Sequence, residues 1–306
     1  MSTKSEFFNV QPVNTALEML FAQWTPQPRT ETLDPRAALG RVLASAPRSP
    51  VDLPSFRRST VDGYAVRAID TFGASQSLPA YLKIAGSVVM GEQVLGDIGL
   101  GEALLIHTGG MLPHSADAVV MVERAQAFGE QEIEVLTPVA PGENVVQVGE
   151  DVRQDEAILP VGHRLRAQDI GGLLAVGIVA VEVIVPPRIG LLSSGDELIS
   201  PEETPNLGQI RDINAYTLAA LVIEAGGKPV LLGIARDELE GFETKARQGF
   251  AECDALVITA GSSVSTRDLT VEVIESLGKP GVLQHGLAVK PGKPTIIALC
   301  EGKPVI

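Results

Sequence analysis

Pro186-Pro187-Arg188-Ile189-Gly190-Leu191-Leu192-Ser193-Ser194-Gly195-Asp196-Glu197 is the stretch that decides the fold of this 306-residue chain. The proline pair ends whatever precedes it, Ile189–Leu192 is an unbroken apolar run of strand length, and a loop of small residues and acids follows. An unbroken run, unlike an alternating one, suits a strand buried on both faces. The same punctuation then repeats. Asn214–Ala225 reads as a helix closed by Gly226-Gly227, Pro229–Ala235 as a strand, and Asp237 as the cap of a helix running to about Ala251. Ala255–Thr259 reads as a strand, Asp268 as the cap of a helix ending at Gly278, and Val282–Val289 and Thr295–Leu299 as strands. Strands alternating with helices of ~10–15 residues predict a doubly wound α/β domain over residues 186–306. Ligands of such sheets bind at the loops leaving the carboxyl ends of the strands.

Upstream the pattern differs. Val13, Leu17, Leu20, Phe21 and Trp24 recur at helical spacing, and Asp34-Pro35 reads as a cap and first residue of a second helix carrying Leu39, Val42 and Leu43. Short apolar segments at Leu82–Val89, Ala103–His107, Ala118–Val122 and Ile133–Leu136, punctuated by Gly and Pro, predict a small all-β module over residues 51–141. Ala167–Gly177 returns to helical spacing and leads into a strand, Val179–Val185. The opening helices lack apolar partners of their own, so this later segment is expected to pack back on them. Residues 1–50 and 142–185 then form a linking domain of helix and extended chain, with the β module inserted into it. The whole is an α/β multidomain protein.

Composition narrows the chemistry. Lys and Arg total 24 against 38 for Asp and Glu, a net charge of −14, and aromatic residues are only 4%. That is the wrong sign for a phosphate-backbone binder and too few rings for a base-stacking platform, which excludes a nucleic-acid partner. Cys253 and Cys300 have no Cys-x-x-Cys spacing, and their apolar neighbours predict buried, reduced thiols. Residues 1–11 lack a signal-peptide pattern, and Ile170–Val185 is interrupted by Glu182 and glycines, so the reading is a soluble cytoplasmic protein with no membrane partner.

Three loops of the α/β domain carry candidate chemistry. Ser193–Glu197 is either a capped turn or an acidic site. Thr259-Ala260-Gly261-Ser262-Ser263-Val264-Ser265 has the small residues that let backbone N–H groups approach an anion. Lys290-Pro291-Gly292-Lys293-Pro294 stiffens a turn bearing two ammonium groups, and Lys279–Ile306 holds four lysines against the single acid Glu301, a local +3. Like charges on a rigid turn repel unless an anion lies between them, so the turn is an anion site in preference to a solvated run. Asp196, Glu197, Asp237 and Asp268 are expected on loops at the same end of the sheet, where carboxylates beside phosphate suggest an oxygen-liganded cation, Mg²⁺.

Further segments complete an ordered set: Asp62-Gly63-Tyr64-Ala65-Val66, His107-Thr108-Gly109-Gly110 followed by Ala116-Asp117-Ala118-Val119-Val120-Met121-Val122-Glu123, Gly149-Glu150-Asp151, and Gly208-Gln209-Ile210. With Ser194–Glu197 and the lysine turn, this order resembles the molybdopterin molybdenumtransferase family along essentially the whole chain. The resemblance implies an enzyme that takes adenylylated molybdopterin and molybdate and, with a divalent cation, releases AMP and forms the molybdenum cofactor. It also implies a homodimer in which the β module of one subunit faces the α/β domain of the other, with an upstream molybdopterin adenylyltransferase as a partner. Carried over by position, Asp62, Asp151, Glu197, Asp237 and Asp268 match the catalytic acids, of which Glu197, Asp237 and Asp268 are the metal candidates. Thr108, Gly261, Ser262, Ser263, Ser265, Lys290 and Lys293 match the ligand-binding positions. The 259–268 loop departs from the family pattern at Ala260, Ser262 and Thr266. The family's C-terminal β domain is expected to be absent, with Thr295–Ile306 forming a hairpin at a sheet edge. A non-catalytic pterin-binding or scaffolding relative is the alternative.

Overall fold

The structure is a computed structural model that describes residues 10–260 and 264–306, apart from the side chains of 264–268. The chain forms two compact units: residues through Glu31 joined by Ile184–Ile306, and Thr32–Val183. The first helix, α1 (Val13–Phe21), belongs to the former.

In the Thr32–Val183 unit, six strands make one sheet: β1 (Gly63–Val66), β2 (Ala80–Ser87), β3 (Glu102–Ile106), β4 (Ala118–Met121), β5 (Ala125–Phe128) and β6 (Glu132–Val135). Their order is β4-β1-β3-β2-β6-β5, antiparallel except between β2 and β3. Neighbouring residues of β1 point to opposite faces, as the pleat requires. Val66 joins a cluster with Leu82, Ile133 and Val135, while Ala65 joins another with Ile106, Leu112 and Val119, so both faces are covered. Gly63 is forced by the close approach of β4: a Cβ there would lie 1.9 Å from the carbonyl oxygen of Val120.

A third cluster unites Ala38 and Leu43 with Leu165, Val181 and Val183, together with Leu173 of helix α2 (Ala167–Ala175). The second predicted helix is corrected. Asp34 accepts a hydrogen bond from the backbone N–H of Arg36, but only one 3₁₀ turn, Pro35–Ala37, forms. Beyond Gly40 the chain is extended, with Leu43 N–H donating to His163 O and Ala44 N–H to Glu182 O. These pairings satisfy the backbone better than an unsupported helix would.

The other unit contains β7 (Arg188–Ser194), α3 (Asn214–Glu224), β8 (Lys228–Ala235), α4 (Leu239–Glu252), β9 (Ala255–Thr259), α5 (Val264–Ser276), β10 (Pro280–His285), β11 (Ile296–Cys300) and β12 (Lys303–Val305). The sheet order is β8-β7-β9-β12-β11-β10. The first four run parallel, and β11 is antiparallel to both its neighbours. Alternation along β11 explains the two layers. Ile296, Ala298 and Cys300 join Phe242, Ala246, Val273 and Ile274 of α4 and α5, whereas Ile297 and Leu299 meet Ala16 and Leu20 of α1.

Three expectations are corrected here. Helix α1 covers this sheet instead of packing with the 167–185 segment, because β11 is apolar on both faces and needs a partner on each. The terminal hairpin is not at an edge: β12 lies between β9 and β11, with Val305 fully buried and Ile306 N–H bonded to Leu256 O. The helix starts also shift. Glu238, not Asp237, precedes α4, and α5 begins at Val264, which places Asp268 within the helix and not on a loop.

Candidate functional site

Strand direction gathers the candidate loops. The carboxyl ends of β7, β8, β9, β10 and β12 and the amino end of β11 share one edge of the sheet, so segments 194–197, 236–237 and 286–295 emerge together. Ser193 and Ser194 close β7 fully buried, yet their hydroxyls reach in different directions. Ser193 Oγ donates to Asp212 Oδ2 at 2.5 Å and accepts from Thr259 Oγ1 at 3.1 Å. Asp212, 5% exposed, also accepts from the backbone of Ala215 at the start of α3. A buried carboxylate needs such donors, and here they fix α3 to the sheet.

Ser194 Oγ donates instead to Asp237 Oδ1 at 2.8 Å. Asp237 N–H donates to Asp196 Oδ1 at 3.2 Å, and the Arg236 guanidinium donates to Asp196 O at 2.8 Å. The loops after β7 and β8 are therefore one stitched cluster. Asp237 is half-buried there, and Glu197 folds back over Gly195, where an added Cβ would stand 2.8 Å from its Oε2.

The lysine turn is braced from beneath. Thr295 donates to Gly292 O through both its backbone N–H and its hydroxyl, Leu287 N–H donates to Lys293 O, and Ala288 N–H donates to Gln11 O. Lys290 and Lys293 project into solvent, and neither is in an ion pair among the described residues. Such paired, exposed ammonium groups on a fixed turn suit a multiply charged anion.

The Thr32–Val183 unit holds the other predicted acids. Asp62 Oδ1 accepts from Thr108 N–H at 2.7 Å and Thr108 Oγ1 at 3.1 Å, with His107 Nδ1 3.5 Å away. The Thr108 backbone and hydroxyl, with His107 adding to them, hold the Asp62 carboxyl below the usual carboxylate range. Asp151 lies 3.4 Å from the Arg58 guanidinium. The sequence-predicted Asp62 and Thr108 thus meet directly, and Glu197, Asp237, Lys290 and Lys293 share the sheet edge. Gly261, Ser262 and Ser263 lie outside the described residues, as do the side chains of Ser265 and Asp268. Arg58, His107, Asp212 and Arg236 were missed. His107 opens the quoted His107–Gly110 segment without having been given a role, Arg58 lies four residues before Asp62, Arg236 precedes Asp237, and Asp212 follows Gly208-Gln209-Ile210, so sequence adjacency was the available signal.

Comparison with known proteins divides the chain near residue 184 as well, although its first family model also takes in residues 11–31, which here join the α/β unit. The family model described as the MoeA N-terminal region (domain I and II) matches residues 11–177, and that of a probable molybdopterin binding domain matches residues 190–306. A molybdopterin biosynthesis protein of Methanocaldococcus jannaschii is 35% identical over 97% of this chain and 75% of its own. The molybdopterin molybdenumtransferases of Nostoc and Bacillus subtilis are 33% and 32% identical, over 89% and 94% of this chain. The chain spans 62% and 67% of their lengths. A crystal structure of the Pyrococcus horikoshii molybdopterin biosynthesis moeA protein superposes with a TM-score of 0.84 at 40% identity, covering 97% of this chain and 73% of that one.

Proposed function

The chain belongs to the MoeA family, and with that premise we propose that it inserts molybdenum from molybdate into adenylylated molybdopterin, releasing AMP. The observation that carries this reading is the meeting, at one sheet edge, of a braced lysine turn and a stitched acidic cluster. Phosphate binding falls to Lys290 and Lys293, on the turn braced by Thr295 and Leu287. Thr108 positions Asp62, whose carboxylate stays ionised at neutral pH and can orient a water or an oxyanion's proton. Asp151 is the second acid of that unit.

Among the described residues no three side chains form a metal cage. Magnesium needs none: it characteristically keeps water and substrate phosphate and takes one or two protein carboxylates. Glu197 and Asp237 are the carboxylates assigned to that role, while the side chain of Asp268 lies outside the described residues. The cation, when bound, would shield the pyrophosphate charge.

Asp62 and Asp151 sit in one unit and Glu197 and Asp237 in the other, which favours a homodimer whose subunits complete each other's sites. An upstream adenylyltransferase would hand over the substrate. No helix among the described residues is long and apolar enough to cross a membrane, and the two buried free thiols suit a reducing cytoplasm.

The test supplies adenylylated molybdopterin, molybdate and Mg²⁺ and follows AMP by chromatography. Molybdate-dependent AMP release is the expected result. Tight pterin binding without AMP release would identify the non-catalytic alternative instead.

A further inference from the structure

Strands β1 and β3 run antiparallel with Gly63 opposite Ile106, so the next pair outward is Asp62 and His107. Partners directly across a strand pair share one face of the sheet. His107 Nδ1 accordingly lies 3.5 Å from Asp62 Oδ1, the oxygen that Thr108 holds through its backbone N–H and its hydroxyl. Thr108 fixes the carboxylate, and the carboxylate faces the ring.

Neighbouring segments set the rest of the surroundings. Val88 N–H donates to Leu105 O, so the chain leaving β2 runs beside the end of β3, and the Met90 methyl comes within 3.8 Å of where a Gly109 Cβ would stand. Ser59 pairs with Gly109 and Gly110 through two backbone hydrogen bonds, which sets Arg58, with Asp151 3.4 Å from its guanidinium, on the segment next to the turn. His107 thus has a carboxylate against one nitrogen, Met90 beside its turn and an ion pair on the adjoining segment. Its side chain is 61% exposed and open to a ligand.

An ionised carboxylate against Nδ1 favours the tautomer protonated there, which leaves the Nε2 lone pair free. This is the order in which nucleophiles are activated: an anchored acid orients a base, and the far nitrogen of the base takes the proton. Asp62 is itself a poor proton acceptor, since the Thr108 N–H and hydroxyl, with His107 adding to them, stabilise its ionised form. A separation of 3.5 Å is long for a hydrogen bond, and contacts of this kind tighten when substrate binds.

We propose that His107 is the general base of the AMP-releasing step, with Asp62 as the residue that positions it. The inference rests on the proposed reaction and names its proton acceptor. In cleavage of the phosphoanhydride by water, the water oxygen bonds to one phosphorus while the bridging oxygen leaves with the electron pair of its broken P–O bond, on the other phosphate. One water proton passes to His107 Nε2 and from there to solvent after the products leave.

Single-turnover AMP release by the whole chain, with adenylylated molybdopterin, molybdate and Mg²⁺ between about pH 5 and 8, tests it. His107→Gln and His107→Ala change an exposed side chain, so Tm is expected to hold. Each is expected to slow release about 100-fold at neutral pH with substrate affinity unchanged, and to abolish the acid limb of the wild-type profile, where an imidazole takes up its proton. Added imidazole is expected to restore His107→Ala at least tenfold. Rates within about threefold of wild type in both variants, or a large loss that keeps the acid limb and ignores imidazole, would overturn the general base while leaving the reaction standing. A wild-type chain that releases no AMP at any of these pH values would overturn the reaction and the base with it.

Discussion

Ser194 Oγ donates to Asp237 Oδ1 across 2.8 Å, which ties the end of β7 to the end of β8. Its neighbour Ser193, buried and bonded to Asp212 at 2.5 Å, makes the equivalent tie to α3. The two serines are adjacent in sequence and differ in what they hold.

Replacing each serine separates stability from function. Ser193→Ala leaves the buried Asp212 short of a donor and is expected to cost about 1–3 kcal/mol, read as a lower urea midpoint. Ser194→Ala acts on a half-buried loop carboxylate and is expected to leave stability within about 1 kcal/mol while slowing AMP release. The opposite ranking would mean that the β7–β8 tie is the structural one.

Asp169 provides a pH test of the Thr32–Val183 unit. Its buried carboxyl accepts from the Arg166 guanidinium and backbone and lies 2.6 Å from His163 Nε2. The Arg166 contacts, with His163 adding to them, hold its pKa far below the ordinary 3.8. A depressed carboxylate pKa stabilises the folded state above the unfolded value and loses that contribution as pH falls towards the folded one. Asp169→Asn is therefore expected to lower the urea midpoint at pH 7, with the gap to wild type narrowing below about pH 4. A gap independent of pH would assign the loss to packing.

Cys300 and Cys253 are expected to be inert. Burial pushes the Cys300 thiol up to about 11, with Glu275 and Glu301 adding to the effect, and burial raises Cys253 as well. Since the thiolate is the reactive form, a thiol-specific dye should label neither in the native chain at pH 8 and both in guanidinium. Fast native labelling would show that the β11 or α4 end opens locally.

The α/β half was legible because its strands are unbroken apolar runs between glycine and proline stops, a local signal that survives tertiary context. The site was legible only as loops. Strand direction brings 194–197, 236–237 and 286–295 together, and no local pattern contains that direction. Two failures share a cause: Asp34-Pro35 signalled a helix start, but the backbone of Gly40 to Ala44 found partners at His163, Leu165 and Glu182. The helix α1 was read correctly and given the wrong partner, since amphipathicity says that a face is buried and not against what. Arg58, 93 residues from Asp151, had no pairing that sequence could express.

Charge reversal tests the lysine turn. Lys290→Glu or Lys293→Glu sets a carboxylate beside the bound phosphates and is expected to weaken pyrophosphate binding by at least about 2 kcal/mol, about 30-fold. Both residues are exposed, so Tm should hold. Unchanged binding in both variants would make the turn an ordinary solvated surface.

Subunit mixing tests whether two copies share each site. Asp62 and Asp237 lie in different units of the chain, one held by Thr108 and the other by Ser194. Asp62→Asn and Asp237→Asn are near-isosteric, and neither side chain is in the core, so both variants should fold. Each alone is expected to lose AMP release, because every site of the proposed homodimer would then carry one damaged acid. If a site draws Asp62 from one subunit and Asp237 from the other, a mixed dimer places both lesions in one site and leaves its second site intact. Equal mixing followed by exchange should then make half of the dimers mixed and restore about a quarter of wild-type activity, by the binomial count of sites. If each site instead lies within one subunit, every site in every dimer keeps a lesion, and mixing restores nothing. Sedimentation of the wild type at micromolar concentration supplies the independent check: a species near 32 kDa alone would exclude the shared site before any mixing is done.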